Sequence, residues 1–561
     1  MDILREKLMN RAFIISLIQE DKLLESSSFF NAYYSMMKKL KVNKTLKKRK
    51  EIELQRMVQE YVNHLLIRAQ LYYDKRNWAK ALICYELAHN YDYKIYEEKN
   101  IIKNIIYCTV NTKQYDITEE LIKHLLEITN YDKNEYYFIA EIYNIMGIPQ
   151  KSTKYMEIYL NSKNPDEITA EEYNYCGIYY NQLYFKDYSK IDIAKKSIQF
   201  FEKAHEINPY NSVYLHNITI LAGYTNEYDK SFNTWQKIFK LGNLSSIQKY
   251  DYALLCMKLP KFEDWHKYYH ARYSSDLENY AFHSFTKPLW DGEKDISDKI
   301  LLLHWEQGYG DNILMYGYIN RLKKYAKQIK FVVQEPLYSL FKNSCDDIEI
   351  ISNELANYET LEFDYFLPVM SIPKILNLNI DTISVGENYI NVRQELINDY
   401  KEKYFNNNKY KIGIAFHGNK NINERRNIPI KYFKELNNLK NIEIYILNKD
   451  VPDEDILLLD NQNTINIAKT FHNFEDTAAA IKNCDIILTS DNCIMNLAGA
   501  LGKKTFCLFN WSSEWRWFDL SGENVVWYTS VKPFVNKSMN DWQPTMKNAV
   551  QAIQKEMLLK D

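Results

Sequence analysis

Two stretches of the sequence place acidic and amide side chains between an apolar run and a helix-like segment. In the first, Ser490-Asp491-Asn492 follows the apolar run 485–489 and opens residues 492–501, whose spacing predicts a helix that ends at Gly502. In open α/β sheets, ligands bind at the carboxyl ends of strands, and the amino end of a helix favours anionic groups. The stretch therefore predicts an anion-binding turn, although an ordinary strand–helix crossover has the same pattern.

The second stretch is Glu306-Gln-Gly-Tyr-Gly-Asp311, which follows a predicted strand at 299–304 and precedes a helical pattern at 313–322. Glycines at these positions let backbone amides approach a phosphate or a sugar. Asp311 begins the helix, so it is either a ligand-facing acid or an N-terminal helix cap. The spacing alone leaves both interpretations open.

The composition limits the kinds of protein that this chain can be. At 561 residues it is too long for one hydrophobic core, which predicts two to four domains. The net charge is -2, so bulk electrostatics give no reason to expect a nucleic-acid partner. Glycine is scarce (14 residues) and concentrated after residue 290, which predicts two regions of different architecture.

The cysteines and the apolar runs indicate a cytoplasmic protein. The eight cysteines are scattered without a CxxC pair, so we expect reduced core residues and neither disulfides nor zinc ligands. The apolar patch at 13–18 is too short and too closely flanked by charges for a signal peptide. Since no apolar run approaches 18 residues, no membrane span is expected.

The sequence before residue 286 predicts helices throughout. Residues 1–60 are predicted to form charged helices, and their basic run at 38–50 is expected to be a solvated helical face rather than a binding patch. Residues 61–285 resemble a degenerate tetratricopeptide (TPR) array, because small and aromatic residues recur with a period of about 34 residues. These positions include Ala69, Tyr72, Ala81, Tyr85, Ala88, Ser197, Phe201, Ala204, Ser231 and Trp235. The aromatic residues should form the core between repeats, which leaves a concave surface for a protein partner.

The second region predicts two α/β halves. Further strands are expected at 329–333 and 363–367, and a polar stretch at 398–410 separates them from a second set. That set contains strands at 411–416 and 442–447, with helices at 430–439 and 474–482. Two successive α/β halves, 286–405 and 406–561, describe two Rossmann-like domains that face a cleft.

A set of motifs occurs in order along residues 285–535. They are Pro288-Leu-Trp-Asp-Gly, Glu306-Gln-Gly-Tyr-Gly-Asp311, Gly413-Ile-Ala-Phe-His-Gly-Asn419, Arg426-Asn-Ile-Pro429, Asp476-Thr-Ala-Ala, Leu497-Ala-Gly-Ala-Leu-Gly502 and Trp515-Arg-Trp517. With the repeats upstream, the set resembles the bacterial TPR glycosyltransferases, whose transferase domain is similar to the ADP-heptose lipopolysaccharide heptosyltransferases of GT-B fold. Some flagellin-modifying transferases share this layout.

The resemblance implies a role for individual residues. Asp311 matches the general base of an inverting transfer, which takes the acceptor hydroxyl proton. Arg426 matches a basic position suited to the departing diphosphate, for which Arg425 and Lys420 are neighbouring substitutes, and Asp491 matches an acid that binds sugar or ribose hydroxyls. The donor half would bind a nucleotide sugar as co-substrate, without a metal or a cofactor, through Gly418, Asn419, Arg426, Asp491, Asn492, Asn496 and Gly499. The acceptor half would line the cleft with Glu306, Gln307, Gly308 and Gly310.

The sequence departs from the family pattern at two positions. Asn496 stands where relatives have a histidine, and Gly317 stands where they often have an arginine or another larger residue. An asparagine can hydrogen-bond a phosphate or a hydroxyl but carries no charge, so we expect leaving-group stabilisation to differ from that of the relatives. Trp511, Trp515 and Trp517 either wall the donor site or pack the closing helix.

These observations predict a glycosyltransferase that modifies a protein hydroxyl on Ser or Thr, with the repeats recruiting the protein. Flagellin is the acceptor that the resemblance suggests. One alternative is a non-catalytic repeat scaffold with a decayed transferase domain, motivated by Asn496 and Gly317. Another is a transferase that acts on lipopolysaccharide core sugars, for which a long repeat array has no evident use.

Overall fold

A computed structural model describes residues 22–39, 44–259, 261–274, 285–418, 426–459, 463–512, 523–537 and 541–560. The chain divides into two compact units, Met1–Tyr214 and Leu215–Asp561. The predicted boundary at 285/286 lies inside the second unit, beside residues outside the described ranges. That boundary and those at 60/61 and 405/406 stay predictions.

The first unit consists of consecutive helices that pack in pairs. The helices are α1 (Leu23–Lys39), α2 (Lys44–Asp74), α3 (Trp78–His89), α4 (Lys99–Asn111), α5 (Tyr115–Ile128), α6 (Glu135–Ile145), α7 (Pro149–Ser162), α8 (Ala170–Lys186) and α9 (Ile191–Ile207), and α10 (Ser212–Tyr224) spans the division between units. The pairs α2/α3, α4/α5, α6/α7 and α8/α9 make extensive contacts. This is the predicted TPR-like helical array.

Small and aromatic residues hold the pairs together. Ala69, Ala81 and Ala88 have no exposed surface, as expected where helices cross closely. Tyr85 and Phe201 are buried as well, and so are the other aromatic residues of the predicted stripe. The prediction that these aromatic residues are core residues and not a binding ladder is therefore confirmed.

The second unit continues with three helices and then changes to α/β architecture. The helices α11 (Tyr228–Leu241), α12 (Ser246–Lys258) and α13 (Phe262–Tyr268) end in a 3-10 turn, Tyr269–Tyr273. In this unit Trp235 is buried, and Ser231 Oγ donates a hydrogen bond to Thr219 O at 3.0 Å, so α11 packs closely on α10. The repeat pattern therefore runs up to the α/β region.

A four-stranded parallel sheet follows. Its strands are β1 (Ile296–His304), β2 (Ala326–Val333), β3 (Glu349–Ser352) and β4 (Tyr365–Pro368), in the order β3-β2-β1-β4. Its helices are α14 (Tyr309–Tyr316), α15 (Ile319–Leu322), α16 (Tyr338–Lys342), α17 (Ile372–Ile375) and α18 (Gln394–Tyr404). Helix α18 occupies much of the stretch that the sequence predicts as a polar linker, since a charged, exposed helix lacks the apolar periodicity that would reveal it.

A six-stranded parallel sheet forms the second half. Its strands are β5 (Tyr410–Ala415), β6 (Ile442–Ile446), β7 (Thr464–Ile465), β8 (Ile486–Ser490), β9 (Thr505–Phe509) and β10 (Val531–Val535), in the order β10-β9-β8-β5-β6-β7. Its helices are α19 (Asp453–Leu457), α20 (Phe474–Asn483), α21 (Cys493–Ala500) and α22 (Gln543–Lys560). The helix predicted at 430–439 is a 3-10 helix, Ile430–Asn438. The described chain thus has the predicted fold class, a TPR-like helical region followed by a two-sheet GT-B-type α/β region.

The strand order places the predicted site residues at the turning points of both sheets. In the first sheet the order reverses at β1, whose carboxyl end leads to Glu306. In the second it reverses between β5 and β8, whose carboxyl ends lead to His417 and Asp491. Ligands of open α/β sheets bind at such points.

Burial of the thiols agrees with the sequence prediction. All eight cysteines are free, and six of them are buried. Burial raises the pKa of Cys108 and Cys256, each to about 12, so these thiols stay protonated at neutral pH. Within the described ranges, no helix is long and apolar enough to cross a membrane.

Helix α21 packs against Tyr528 through a glycine, which gives a test of the fold. A Cβ added to Gly499 would lie 2.5 Å from Cγ of the Tyr528 ring, whereas one added to Gly223 in α10 would meet no atom within 4 Å. We expect Gly499→Ala to lower the free energy of unfolding by about 1–3 kcal/mol through overpacking. The matched control, Gly223→Ala, should raise it by up to about 1 kcal/mol through helix propensity. Urea titration measures both, and a Gly499→Ala variant as stable as the control would contradict the packing.

Candidate active site

The loop between β1 and α14 is shaped by a buried asparagine. Asn312 has no exposed surface, and its Nδ2 donates to Glu306 O at 3.0 Å and to Gly308 O at 2.7 Å. Its Oδ1 accepts from Glu306 N at 3.2 Å. Between these contacts Gln307 has a φ of 62°, a left-handed conformation that is uncommon outside glycine. Sequence analysis did not single out Asn312, although an amide in the first turn of a helix is a typical backbone-bonding residue.

Asp311 caps the helix that it begins. Its Oδ2 accepts a hydrogen bond from Gly308 N at 3.0 Å, so the Asp311 side chain caps the start of α14 from the N3 position. The helix-cap interpretation of Asp311 is therefore confirmed. The side chain is half-buried, at the same end of the first sheet as Glu306.

The first turns of α14 and α21 meet at Gly310. A Cβ added to Gly310 would lie 2.7 Å from Asn496 Nδ2 and 3.3 Å from Cys493 Cα, so a larger residue would force the Asn496 side chain to move and the two helices slightly apart. Sequence analysis assigned the glycine to ligand approach, whereas here it permits the contact between one helix of each sheet. The glycine loop of the first half and the β8–α21 turn of the second are thereby adjacent.

The pKa of the Cys493 thiol is affected by charged groups from both halves of the α/β region. Burial raises the pKa of the Cys493 thiol to about 11, the Arg426 guanidinium acts to lower it, and the Asp311 carboxylate adds to the rise. Both charged groups therefore lie within electrostatic reach of one thiol. The acid belongs to the first half of the α/β region, and the cation belongs to the second.

The turn after β8 carries a second acid beside the same cation. Asp491 is 3% exposed, and its Oδ1 lies 3.9 Å from Arg426 Nη1. That separation is longer than a hydrogen bond, so the pair is held mainly by charge. The Arg426 side chain as a whole is 23% exposed, whereas that of Asp491 is buried.

Asn492 is the N-terminal cap of α21. Its Oδ1 accepts from Ile494 N at 2.8 Å, and its Nδ2 donates to Ser490 Oγ at 3.1 Å and to His417 O at 3.4 Å. The last bond joins the turn after β8 to the turn after β5. The capping residue Asn492 therefore connects the two turns.

Gly418 lies next to that cap. A Cβ added to Gly418 would be 3.8 Å from Asn492 Cβ, and Gly418 N donates to Asn427 Oδ1 at 3.1 Å. The structure thus brings together the turns that hold Gly418, Asn492 and Asp491. Several other predicted residues, namely Asn419, Lys420, Arg425, Trp515 and Trp517, lie outside the described residues.

Asn496 and Gly317, the two departures from the family pattern, lie in one packed region. Tyr528 Oη donates to Asn496 Oδ1 at 3.3 Å and lies 3.2 Å from Tyr389 Oη. Tyr389 Oη also donates to Ile313 O at 3.1 Å, and its ring fills the space beside Gly317. Asn496 therefore contacts Tyr528 in this structure. The predicted donor residue Gly499 packs against the same tyrosine.

Glu306 and Gln307 turn toward the helical region. Glu306 Oε1 accepts from Arg272 Nε at 2.6 Å, and Gln307 Nε2 donates to Tyr269 Oη at 3.0 Å. The sequence predicts these two residues to line the acceptor cleft, but it gives no sign of Arg272 as their partner. The partner of a single basic residue at the end of a helical segment cannot be predicted from a sequence pattern.

The arrangement gathers the groups that a displacement at a phosphorylated sugar needs. A carboxylate (Asp311) comes from one sheet, and a cation (Arg426), a helix amino end and a second acid (Asp491) come from the other. Groups of opposite charge can thus act on opposite ends of one bond. Among the described residues, no group of three or more His, Cys, Asp or Glu side chains is placed to hold a metal ion.

Comparison with known proteins gives distant similarities. No protein-family model matches the chain. Protein FlbA of Caulobacter vibrioides (strain ATCC 19089 / CIP 103742 / CB 15) is 20% identical over 386 residues, which cover 64% of this chain and 64% of FlbA. The match thus spans less than two thirds of the length of that relative.

Solved structures show similarity to parts of the chain. The glycosyl transferase family 9 protein from Veillonella parvula DSM 2008 is 11% identical with a TM-score of 0.37, over 48% of this chain and 100% of its own. E. coli ADP-heptose lps heptosyltransferase II is 12% identical with a TM-score of 0.35, over 46% and 99%. The TPR protein YrrB is 13% identical with a TM-score of 0.25, over 32% and 85%. The similar structures therefore include both classes that the sequence resembles, TPR proteins and heptosyltransferase-type glycosyltransferases.

Proposed function

We propose that this chain is a glycosyltransferase that moves a sugar from a nucleotide-activated donor to a Ser or Thr hydroxyl of a protein. The observation that carries the proposal is the close approach, at Gly310, of the glycine loop that holds Asp311 to the start of α21, beside which Asp491 lies 3.9 Å from Arg426. Both ends of a glycosyl transfer, proton removal and stabilisation of the leaving group, have a suitable side chain at this junction.

The transfer is a single displacement at the anomeric carbon. The acceptor hydroxyl oxygen forms a bond to that carbon while its proton passes to the Asp311 carboxylate. The bond from the anomeric carbon to the diphosphate oxygen breaks, and its electron pair stays on the diphosphate. Attack from the face opposite the leaving group inverts the configuration. Arg426 and the amino end of α21 stabilise the diphosphate charge, so the scheme requires no metal ion.

The acceptor is a protein because the chain devotes its first half to helical repeats. Stacked helix pairs such as α2–α9 offer an extended surface to a polypeptide, while a small glycan needs only the cleft. Flagellin is the acceptor to test first, in line with the resemblance of the sequence.

The base role of Asp311 can be separated from its cap role. Asp311→Asn keeps an oxygen that accepts from Gly308 N, but an amide cannot take a proton, so transfer should fall by about 10²–10⁴-fold with little change in stability. Asp476→Asn is the matched control, because Asp476 caps α20 from the same N3 position through His472 N at 2.8 Å. Turnover and melting temperature are measured for both variants. An Asp311→Asn enzyme with wild-type turnover would exclude the base.

Arg426 should determine donor affinity. Thermal-shift titration with UDP-, GDP-, ADP- and CMP-sugars should give a clear shift with one nucleotide family. Arg426→Gln removes a charge-assisted contact to the diphosphate, so the Kd should rise by about 10- to 100-fold. Lys532→Gln, which removes an exposed positive charge from β10, should bind as the wild type does. No shift with any donor in folded protein would point instead to the non-catalytic scaffold.

The acceptor class is decided by direct comparison. We expect labelled sugar to appear on whole flagellar protein and not on purified lipopolysaccharide, because the repeats supply a surface for polypeptide. Mass spectrometry of the product locates the modified Ser or Thr. Transfer to lipopolysaccharide alone would retain the enzyme and reject the protein acceptor.

A further inference from the structure

We infer that Arg272, in the last helical turn before the α/β region, is a positioning residue for the loop that carries Asp311. The inference rests on the proposed function, because it assigns Arg272 an effect on the group that removes the acceptor proton. Its structural basis is a buried ion pair with Glu306, the first residue of the glycine loop.

The guanidinium of Arg272 is enclosed on all sides. Arg272 has no exposed surface, and its guanidinium carbon lies 4.1 Å from the ring centroids of both Tyr269 and Tyr273. Nη1 donates to Tyr269 O at 2.9 Å and Nη2 donates to Ser371 Oγ at 2.9 Å. A planar cation stacked between two rings has little freedom to change its direction.

Glu306 accepts two hydrogen bonds from this cation, and Tyr273 Oη accepts a further one from Nη2. Nε donates to Glu306 Oε1 at 2.6 Å and Nη2 to Oε2 at 3.1 Å, which is the two-point geometry of a strong Arg–carboxylate pair. Burial alone would lower the pKa of Arg272, but the Glu306 carboxylate outweighs it and raises the pKa overall. Arg272 therefore keeps its positive charge at neutral pH.

The glycine loop is held at both ends. Glu306 is held through its side chain by Arg272 and through its backbone by Asn312, the residue after Asp311. Between these two points Gln307 takes its left-handed conformation, with its side chain bonded to Tyr269, the residue that also stacks on Arg272. Gly308 follows and donates its N–H to Asp311 Oδ2.

Arg272 thus acts on Asp311 through a short series of fixed contacts. Moving Glu306 would release the left-handed turn at Gln307, and the Gly308 N–H that orients the Asp311 carboxylate would move with it. A catalytic group displaced by about 1 Å loses up to about 100-fold in rate. The end of the helical region is therefore part of the transferase active-site support, in addition to any role in holding the acceptor.

The test separates positioning from stability by replacing both charges. Arg272→Met alone leaves Glu306 buried without its cation and should destabilise the protein strongly, whereas Arg272→Met/Glu306→Met removes both charges and should restore folding. We expect this double variant to melt near the wild-type temperature, to bind the nucleotide sugar with unchanged Kd, and to lose about 100-fold in kcat. Ile553→Ala, a core change in α22, is the stability control and should lower the melting temperature without lowering kcat.

Hydrogen exchange gives a readout that does not need turnover. The N–H groups of Glu306, Gly308 and Asn312 are hydrogen-bonded within the loop and should lose protection in the double variant but not in Ile553→Ala. Wild-type kcat in the double variant would overturn the positioning role. If the wild-type protein transfers no sugar to any acceptor, the proposed function fails. In that case hydrogen exchange in the loop is the remaining test. Lost protection in the double variant would support the positioning role of Arg272, and unchanged protection would overturn it.

Discussion

The contact between the first turns of α14 and α21 is the constraint on which the rest of the α/β region depends. Each helix follows the central strand of its sheet, so their contact fixes where the two strand ends lie. The contact is this close because Gly310 has no side chain, which lets the loop approach Asn496 and Cys493. A cleft site assembled from two sheets requires such a fixed point, since a carboxylate and a cation on separate elements are useful only at a defined separation.

Tyrosines around this contact lie beside both departures from the family pattern. Tyr389 comes from the segment between the sheets and Tyr528 from the segment before β10, and their hydroxyl groups meet beside Asn496. A Cβ at position 317 would lie 2.1 Å from Val385 Cγ2 and 3.0 Å from the Tyr389 ring, so a larger residue there would have to displace both side chains. Asn496 cannot carry the positive charge that a histidine could. Among the described residues, Arg426 is the cation that lies beside Asp491 near this junction.

Sequence reasoning recovered the parts of the fold that depend on local pattern. The buried strands β1, β5, β8 and β9 are continuous apolar runs, and the predicted limits differ from the observed ones by a few residues. It missed β3, β7 and β10, which are short or carry charged residues and so lack a period. It also missed the partners of Glu306 and Asn496, because an Arg–Glu pair 34 residues apart and a Tyr–Asn pair 32 residues apart have no signal in one sequence. The site residues were found by type and motif, while their contacts were decided by tertiary packing.

The cap and the base interpretations of Asp311 are compatible. A carboxylate has two oxygens with about four acceptor directions, and the cap to Gly308 uses one of them, on Oδ2. The cap holds the side chain in one orientation. Without the cap, the carboxylate would lose rotational freedom when the acceptor hydroxyl binds, at a cost in entropy. The same bond that begins α14 would therefore also orient the carboxylate for the proposed proton transfer. Glu306 and Gln307, which place the Gly308 N–H, are bonded to Arg272 and Tyr269. These two partners lie well before the motif in the chain, so a motif search limited to the glycine loop would not find them.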